Sequence, residues 1–248
     1  MTTKLKHQRR YFDKLAISYH KLLGKNLGSA VRLKRVTKEY IFGDVLDIGS
    51  GGIISYDLSQ TKKLTLADIA PETLKQPLKL EGRKFIPVIK QNIVTAEANV
   101  LELPFDKNSF DTVMMITTAH HLSEESLTQT KTNIQKSFDQ INKVLKNDGV
   151  FIIHECFLHP ILKLAQEVLF ECTFAILEKI GKPLPYFISE KQLKNYLKGS
   201  GFRIIKKCDI RSDKRVFISL FSLLSPPGWL WDILQPSKVY ICKKLITK

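Results

Sequence analysis

The sequence predicts an α/β fold: a doubly wound, mostly parallel sheet of seven strands with helices on both faces. Strand-like apolar segments alternate with segments of helical periodicity along most of the 248 residues. The segment "FDTVMMI" (110–116) is apolar and β-branched without alternation, which is typical of a strand that is covered on both faces. A hydrophobic content of 44% is ample for a sizeable core. We therefore expect a single domain over 1–248.

The first half of the chain gives helices and three strands. In order, these are helices within 5–42, a strand "DVLDIG" (44–49), a strand "KLTLADIA" (63–70) stopped by Pro71, a short helix or loop at 74–80, and a weaker strand "FIPVIKQNIV" (85–94).

The second half continues the alternation. It gives a strong fourth strand from 110, a helix over 124–146 capped by Ser123, a fifth strand "NDGVFIIHECF" (147–157), an apolar helix over 158–180, a capped helix "SEKQLKNYLKGSGF" (189–202), and two last strands, "RIIKKCDI" (203–210) and "SKVYICKKL" (237–245).

Composition leaves several partners open. A net charge of +15 suits a nucleic-acid site, but the lysines are spread over most of the chain, which favours an ordinary solvated surface. An anionic membrane or an acidic substrate would use the same charge. The four cysteines are widely spaced without a C-x-x-C pair, so no metal site is predicted. A basic N-terminus without an apolar signal segment favours a cytoplasmic protein, with membrane association as an option.

The segment "DVLDIGSGGIISYDL" (44–58) is a candidate ligand loop at the end of the first strand. In open parallel sheets, ligands bind where such strands end. Glycine at 49 and 51 lets a ligand approach the backbone, and a following helix would offer free N–H groups. A dinucleotide loop would carry a third glycine at Ile54, so that interpretation is weakened. Asp68 ends the second strand and suits the hydroxyls of a ribose, or else a turn or helix cap.

Four segments carry a family resemblance. "VLDIGSGG", "LTLADIA", "ANVLELPFDKNSFDTVMMITTAHHL" and "INKVLKNDGVFII" resemble, in order and spacing, the motifs of class I S-adenosylmethionine (SAM)-dependent methyltransferases. The closest likeness is to the small-molecule branch that includes the ubiquinone and menaquinone biosynthesis methyltransferases. "YFDKLAISYHKL" is also similar to the entry helix of that branch. The resemblance implies a Rossmann-like fold and SAM as the cofactor.

The resemblance also implies roles by position. The matched cofactor residues are Asp47, Gly49, Ser50 and Gly51 around the methionine part, Asp68 on the ribose, Ile69, Asn99 and Val100 around the adenine, Ile116 beside the methionine chain, and Tyr11 and Tyr19 in an N-terminal lid. Two departures stand out. Ile53 replaces the third glycine of the family loop, and Asn99 replaces an aspartate, although its carbonyl can still accept a hydrogen bond from the adenine.

Candidate catalytic groups follow the fourth and fifth strands. A histidine at 120 or 121 would deprotonate an acceptor hydroxyl, or else it caps a helix or packs beside the strand. Glu155 ends the fifth strand at the same edge and would orient or activate the substrate, or else start a helix.

These expectations divide the chain into a lid (1–42), a SAM-binding core (43–155) and two substrate-cap insertions (156–182 and 211–235). The predicted reaction is methyl transfer to a small, hydrophobic acceptor, with oxygen or carbon favoured over nitrogen. The alternatives are an RNA or protein methyltransferase, which the charge favours, and a non-catalytic SAM-fold binding protein, which Ile53 and Asn99 favour.

Overall fold

Ten strands form two sheets in the computed structural model, which describes residues 8–16, 27–88, 92–210 and 235–245. The strands are β1 Gly43–Ile48, β2 Ile53–Ile54, β3 Thr61–Asp68, β4 Leu78–Glu81, β5 Lys84–Pro87, β6 Ile93–Glu97, β7 Phe110–Ile116, β8 Leu145–Cys156, β9 Phe202–Asp209 and β10 Ser237–Lys244. The main sheet has the order β6-β3-β1-β7-β8-β10-β9, and β2, β4 and β5 form a small second sheet. In the main sheet only β10 runs antiparallel to its neighbours. The predicted seven-stranded, mostly parallel sheet is confirmed.

The described ranges contain six α-helices besides the strands. They are α1 (8–16), α2 Leu27–Thr37, α3 Leu127–Val144, α4 Pro160–Val168, α5 Phe170–Lys179 and α6 Glu190–Gly199, and short 3-10 helices cover Lys38–Tyr40, Pro71–Leu74 and Ala119–His121. The prediction of helix within 5–42 holds for the described part, while 17–26 lie outside the described residues.

One face of the main sheet packs against helices. Its core joins strand residues such as Val113 and Phe151 to apolar residues on three helices, which are Ile134, Phe138 and Ile141 on α3, Phe170 and Phe174 on α5, and Leu193 and Leu197 on α6. Helix α3 begins later than predicted, because Ser126 rather than Ser123 caps it by accepting from the Gln129 N–H. The Ser123 hydroxyl instead donates to the Leu184 carbonyl.

Helices were predicted on both faces of the main sheet, but the opposite face is covered by one helix together with the region of the small sheet. Helix α2 packs there through Leu33, together with Ile54, Tyr56 and Leu74 from the region of the small sheet. The predicted helix or loop at 74–80 is wrong over its second half, where β4 begins at Leu78. The predicted third strand (85–94) also divides: its first residues form β5 in the small sheet, and only its end enters the main sheet as β6.

The apolar segment 158–180 forms two helices, and on the first of them, α4, the polar side faces the protein. On α4, Lys163 is 7% exposed, whereas Leu164 and Val168 are 64% and 74% exposed. The Lys163 ammonium donates to the Phe187 carbonyl (2.9 Å) and lies 3.2 Å from the Glu167 carboxylate. A surface helix normally buries its apolar side. In α4 the apolar side faces outward and the polar side is buried. Within the described ranges, no helix combines the length and the apolar character that crossing a bilayer requires.

Candidate functional site

The glycine loop at the end of β1 is built for close backbone contact. Gly49, Gly51 and Gly52 have positive φ values of 66°, 54° and 71°, a region that L-residues with side chains rarely adopt. A Cβ at Gly49 would lie 2.2 Å from Cγ2 of Thr118, and one at Gly52 would lie 2.2 Å from the Thr73 carbonyl oxygen. At both positions a larger residue would collide with its neighbours and would also have to adopt an unfavourable φ.

No helix follows this loop before β3, so the predicted helix N-terminus is wrong. The chain turns at Ser50, whose carbonyl accepts from the Ile53 N–H (2.9 Å). Ile53 then starts β2 and pairs in parallel with Leu78. Ile53 stands at the expected third glycine because the chain enters a strand there, where a β-branched side chain fits well.

A cavity of about 310 Å³ opens at the ends of β1, β3 and β7, and this volume is at the lower end of the usual range for small-molecule sites. Ten predicted site residues line it: Asp47, Gly49, Ser50, Gly51, Asp68, Ile69, Asn99, Val100, Ile116 and His121. His120 and Glu155 are absent from the described lining, and Tyr11 lines a smaller neighbouring cavity. Tyr19 lies outside the described residues.

Asp68 joins the glycine loop to the end of β3. Its Oδ2 accepts from the Gly51 N–H (2.8 Å), and its Oδ1 accepts from the Ala70 N–H (2.9 Å). Burial raises the pKa of this carboxyl above its usual value, while the backbone donors act in the opposite direction. Each carboxylate oxygen keeps a further acceptor position for a ligand hydroxyl.

Asp47 lies wholly inside the cavity wall. Its Oδ2 accepts from the Tyr56 hydroxyl at 2.8 Å, whereas its Oδ1 has no hydrogen-bond partner among the described residues. Burial raises the pKa of Asp47 to about 8. A buried carboxylate oxygen without a partner is costly, and a ligand cation would satisfy it.

Asn99 organises the turn after β6. Its Oδ1 accepts from the Leu101 N–H (3.0 Å), which uses one of the two acceptor positions of the side-chain carbonyl. The Ala98 N–H donates to the Asp68 carbonyl (2.9 Å) and ties this turn to β3. The structure thus brings Asn99 and Val100 to the same cavity as Asp68.

The two histidines have different surroundings. The His121 side chain is half-buried in the cavity wall, and its buried Nδ1 has no hydrogen-bond partner in the described part of the chain. Burial holds the pKa of His121 well below 6.5, so the ring is neutral at neutral pH. The His120 ring stacks on Phe187 and its Nδ1 lies 2.8 Å from Oε2 of Glu155.

Glu155 contacts the 3-10 helix Ala119–His121, the histidine turn, through both of its carboxylate oxygens. Its Oε1 accepts from the Ala119 N–H at 2.7 Å while its Oε2 meets His120, and the residue is 1% exposed. Both carboxylate oxygens therefore have protein partners. This geometry orients the 3-10 helix that presents His121 to the cavity.

Helix α1 forms another wall of the cavity. Gln8 donates from Nε2 to the His121 carbonyl (3.0 Å), and the Phe12 ring meets the His121 ring edge-on at 4.9 Å. Arg9 makes two hydrogen bonds to the Glu97 carboxylate, at 2.5 and 3.0 Å. Helix α1 therefore bridges the histidine turn and the end of β6, and Tyr11 contacts the cavity indirectly through the Phe12 ring.

Sequence reasoning missed several lining residues. Thr117 has a φ of 52°, which is rare for a β-branched residue, and it follows β7 directly. Asn133 enters the lining from α3, and Phe12 from α1. The "FD" in the entry-helix pattern was a usable signal for Phe12, whereas no motif marks Thr117 or Asn133.

The predicted substrate caps are not part of the described lining. None of the described residues that line this cavity comes from 156–182, and α5 packs on the helical face of the sheet through Phe170, Phe174 and Leu177. Phe174, Glu178 and Lys182 of this segment line the smaller neighbouring cavity together with Gln8 and Tyr11, and the role of 156–182 as a substrate cap stays a prediction. The second predicted cap, 211–235, lies outside the described residues except for Gln235.

The cavity residues fit the cofactor that the motifs imply. Three buried polar atoms that lack a partner in the described structure belong to the lining: Asp47 Oδ1, His121 Nδ1 and His154 Nδ1. SAM carries an ammonium group, a carboxylate and ribose hydroxyls, which suit such atoms. In the described ranges, no group of three or more His, Cys, Asp or Glu side chains is arranged to hold a metal.

Sequence comparison identifies the class of domain. Residues 46–153, somewhat less than half of the chain, match the family described as "Methyltransferase domain". The chain is 27% identical over 168 residues to the uncharacterized protein MJ1252 of Methanocaldococcus jannaschii, covering 65% of this chain and 56% of that protein. It is 32% identical over 109 residues to MJ0638 of the same organism, covering 44% and 39%. The chain thus spans about half the length of these relatives.

Solved structures show the same fold. A chain of the complex between the Haloferax volcanii Trm112 methyltransferase activator and a methyltransferase has a TM-score of 0.64 at 13% identity, covering 95% of this chain and 98% of that chain. The Burkholderia thailandensis 1,6-didemethyltoxoflavin-N1-methyltransferase, solved with that substrate and S-adenosylhomocysteine, has a TM-score of 0.60 at 15% identity, covering 97% and 88%.

Residues 46–153 thus resemble a methyltransferase domain in sequence, and the chain shares its fold with solved methyltransferases. The S-adenosylhomocysteine in the Burkholderia thailandensis structure is the demethylated form of the cofactor that the motifs of this chain predict.

Proposed function

We propose that this chain is a single-domain enzyme that transfers the methyl group of SAM to a small acceptor. The observation that carries the proposal is the convergence, in one cavity, of Asp47, Asp68 and Asn99 from three different strand ends. These residues are far apart in sequence and match three separate motifs of the same family. Membership of the branch that includes the ubiquinone and menaquinone biosynthesis methyltransferases stays a prediction.

The chain's own residues divide the work of binding. Asp47 and the glycine loop would hold the methionine part of the cofactor, Asp68 the ribose, and Ile69, Asn99 and Val100 the adenine. Ile116 would lie beside the methionine chain. The bound cofactor supplies a methyl group on a positively charged sulfur, from which a nucleophile displaces it in line. Positioning of the two reactants then supplies much of the rate acceleration.

His121 is the proposed general base. A neutral ring with a free Nδ1 at the cavity wall is able to accept a proton from an acceptor hydroxyl or an acidic carbon. His120 and Glu155 act behind it, because their contacts fix the turn that carries His121. This arrangement supports transfer to oxygen or carbon, where proton removal is needed.

The acceptor that we propose is small and largely apolar. Phe12, Leu15 and Leu122 contribute apolar wall to the same cavity as His121. Lining residues such as Ser123 and Asn133 give it a few polar anchors. Such a wall suits a compact ring or chain with one ionisable hydroxyl or carbon acid.

The direct test is calorimetry with SAM, followed by detection of S-adenosylhomocysteine formed with a panel of small phenols, enols and amines. We expect SAM binding by the folded chain and turnover with an oxygen or carbon acceptor. Failure of the folded chain to bind SAM would refute the enzyme proposal and favour a non-catalytic protein. Turnover with amines alone would refute the preference for oxygen or carbon.

An RNA or protein substrate is the second candidate, and the net charge of +15 is what favours it. The discriminating measurement is binding to a generic RNA between 50 and 200 mM salt. Micromolar binding that falls steeply with salt would support this candidate. Weak, nonspecific binding would leave the small-molecule proposal as the stronger one.

Peripheral membrane contact is a further part of the proposal. The outer faces of α4 and α5 expose Ile161, Leu164, Val168, Leu169 and Ile176 at 53% or more. Amphipathic helices with such faces lie in the headgroup region of bilayers, and the positive net charge suits anionic lipids. An apolar acceptor taken from a membrane would fit the same picture.

A further inference from the structure

The Asp47 carboxylate has two oxygens in different situations. Oδ2 accepts a hydrogen bond from Tyr56 at 2.8 Å. Oδ1 is buried, lacks a hydrogen-bond partner among the described residues, and belongs to a residue of the cavity wall. Asp47 is 1% exposed and Tyr56 is 0% exposed, so both side chains are shielded from solvent.

The surroundings of Asp47 disfavour a negative charge. The neighbouring strands place Leu66 and Met114 beside it in register, and α2 contributes only uncharged residues to the cavity lining. The ionisable groups that act on Asp47 are the Tyr56 phenol and the second carboxyl, Asp68. A proton on Asp47 is therefore the natural state of the cofactor-free site, and burial raises its pKa to about 8.

Tyr56 reaches Asp47 because of the local fold. The chain leaves the glycine loop through β2 instead of a helix, and Tyr56 follows that strand by two residues. Its hydroxyl then fixes one carboxylate oxygen while the other stays free. A phenol that donates to a carboxylate stabilises the ionised form.

We propose that Tyr56 is a positioning residue that holds the Asp47 carboxyl for the ammonium group of the cofactor, and that Asp47 releases a proton to solvent when this ammonium binds. The inference rests on the proposed function, because it needs SAM as the ligand. The O–H bond of Asp47 breaks, the proton goes to water, and the resulting carboxylate accepts hydrogen bonds from the ammonium. The ammonium keeps its own protons.

Calorimetry in two buffers of different ionisation enthalpy measures this proton release. The ligands are S-adenosylhomocysteine, which carries the ammonium group, and 5′-methylthioadenosine, which lacks the amino-acid part. At pH 7, below the usual α-amino pKa of about 7.7–8.0, we expect close to one proton released per S-adenosylhomocysteine. We expect none with 5′-methylthioadenosine.

Two variants separate the roles of the pair. Asp47→Asn should abolish proton release and weaken S-adenosylhomocysteine binding by about tenfold or more. Tyr56→Phe should weaken it by about tenfold but keep the proton release, since Asp47 then holds its proton more firmly. Neither variant should change the affinity for 5′-methylthioadenosine. Tyr240→Phe, at a buried tyrosine of β10 outside the described cavity lining, should change none of these values.

The outcomes are distinct. Binding of S-adenosylhomocysteine without proton release would overturn this inference and leave the proposed function standing. Equal weakening of both ligands by Tyr56→Phe, with an unchanged unfolding temperature, would overturn the positioning role. A folded chain that binds neither ligand would overturn the proposed function, and this inference with it.

Discussion

At the scale of single residues, the glycine loop owes its shape to contacts on both sides. Asp68 accepts from the Gly51 N–H, and Thr118 fills the space beside Gly49. A carboxylate that holds the loop while keeping acceptor positions free is suited to a ribose. The loop and the acid are therefore one unit, and changes at either should affect cofactor binding.

Replacing Asp68 by alanine should weaken SAM binding by about 1–3 kcal/mol, because charge-assisted hydrogen bonds are lost. Calorimetry on Asp68→Ala measures this directly. The matched control is Asp106→Ala, at an exposed position outside the described lining, which should leave the affinity unchanged. An unchanged affinity in Asp68→Ala would refute the ribose role.

Gly49→Ala should lower the free energy of unfolding by more than Gly82→Ala does. Both glycines have positive φ, 66° and 59°, so both variants carry the backbone strain of about 1–2 kcal/mol. Only the Cβ at Gly49 also collides with Thr118, since nothing lies within 4 Å of a Cβ at Gly82. Urea denaturation gives both values, and equal losses would contradict the close packing of the loop.

The part of the cavity lining at the strand ends was predictable because its motifs follow strands directly. Asp47, Asp68 and Asn99 come at or just after the ends of β1, β3 and β6, and parallel strands end at the same edge. Tyr56 was not predictable, since its contact with Asp47 depends on β2. Asn133 reaches the cavity by helix packing, which no local pattern encodes, whereas the "FD" of the entry-helix pattern pointed to Phe12.

At the scale of elements, hydrophobic periodicity indicates a face but not its partner. The period of α4 is helical as predicted, yet its apolar side is exposed and its polar side binds Tyr186 and Phe187 through Glu167, Lys163 and Gln166. The strand β2 likewise depends on a partner that the local sequence does not indicate. Two residues, Ile53 and Ile54, become a strand only because Leu78 pairs with them from another part of the chain.

The exposed face of α4 leads to a membrane-binding prediction. The chain should sediment with vesicles containing anionic lipid, and the double variant Leu164→Glu, Val168→Glu should reduce the bound fraction, because two charges oppose burial of the face. Ile205→Glu, at a 40% exposed residue of β9, is the control and should bind as the unchanged chain does. No sedimentation of the unchanged chain would refute the membrane contact.

At the scale of the whole molecule, the site lowers the stability of the cofactor-free fold. Asp47 has a folded-state pKa raised to about 8 from an ordinary value of 3.8, so the folded chain binds more protons than the unfolded chain between these values. The contribution to stability is full below pH 4 and is lost as the pH rises toward 8. His121 and His154 act in the opposite sense, but only below about pH 6.5, because burial lowers their pKa.

Asp47→Asn should therefore be more stable than the unchanged chain without cofactor, and the difference should grow from pH 6.5 to pH 8. Chemical denaturation at several pH values within this window measures it, since the histidines then contribute little. Saturating SAM should reverse the order, because a ligand held 100-fold above its Kd adds about 2.7 kcal/mol to the chain that binds it. A variant that is less stable than the unchanged chain at every pH would contradict the cost of ionising the buried Asp47 carboxyl. If SAM reverses the order of stability of the two proteins, the Asp47 carboxyl destabilises the cofactor-free fold and is stabilised by the cofactor ammonium. Stability and cofactor binding are then coupled through this one carboxyl of β1.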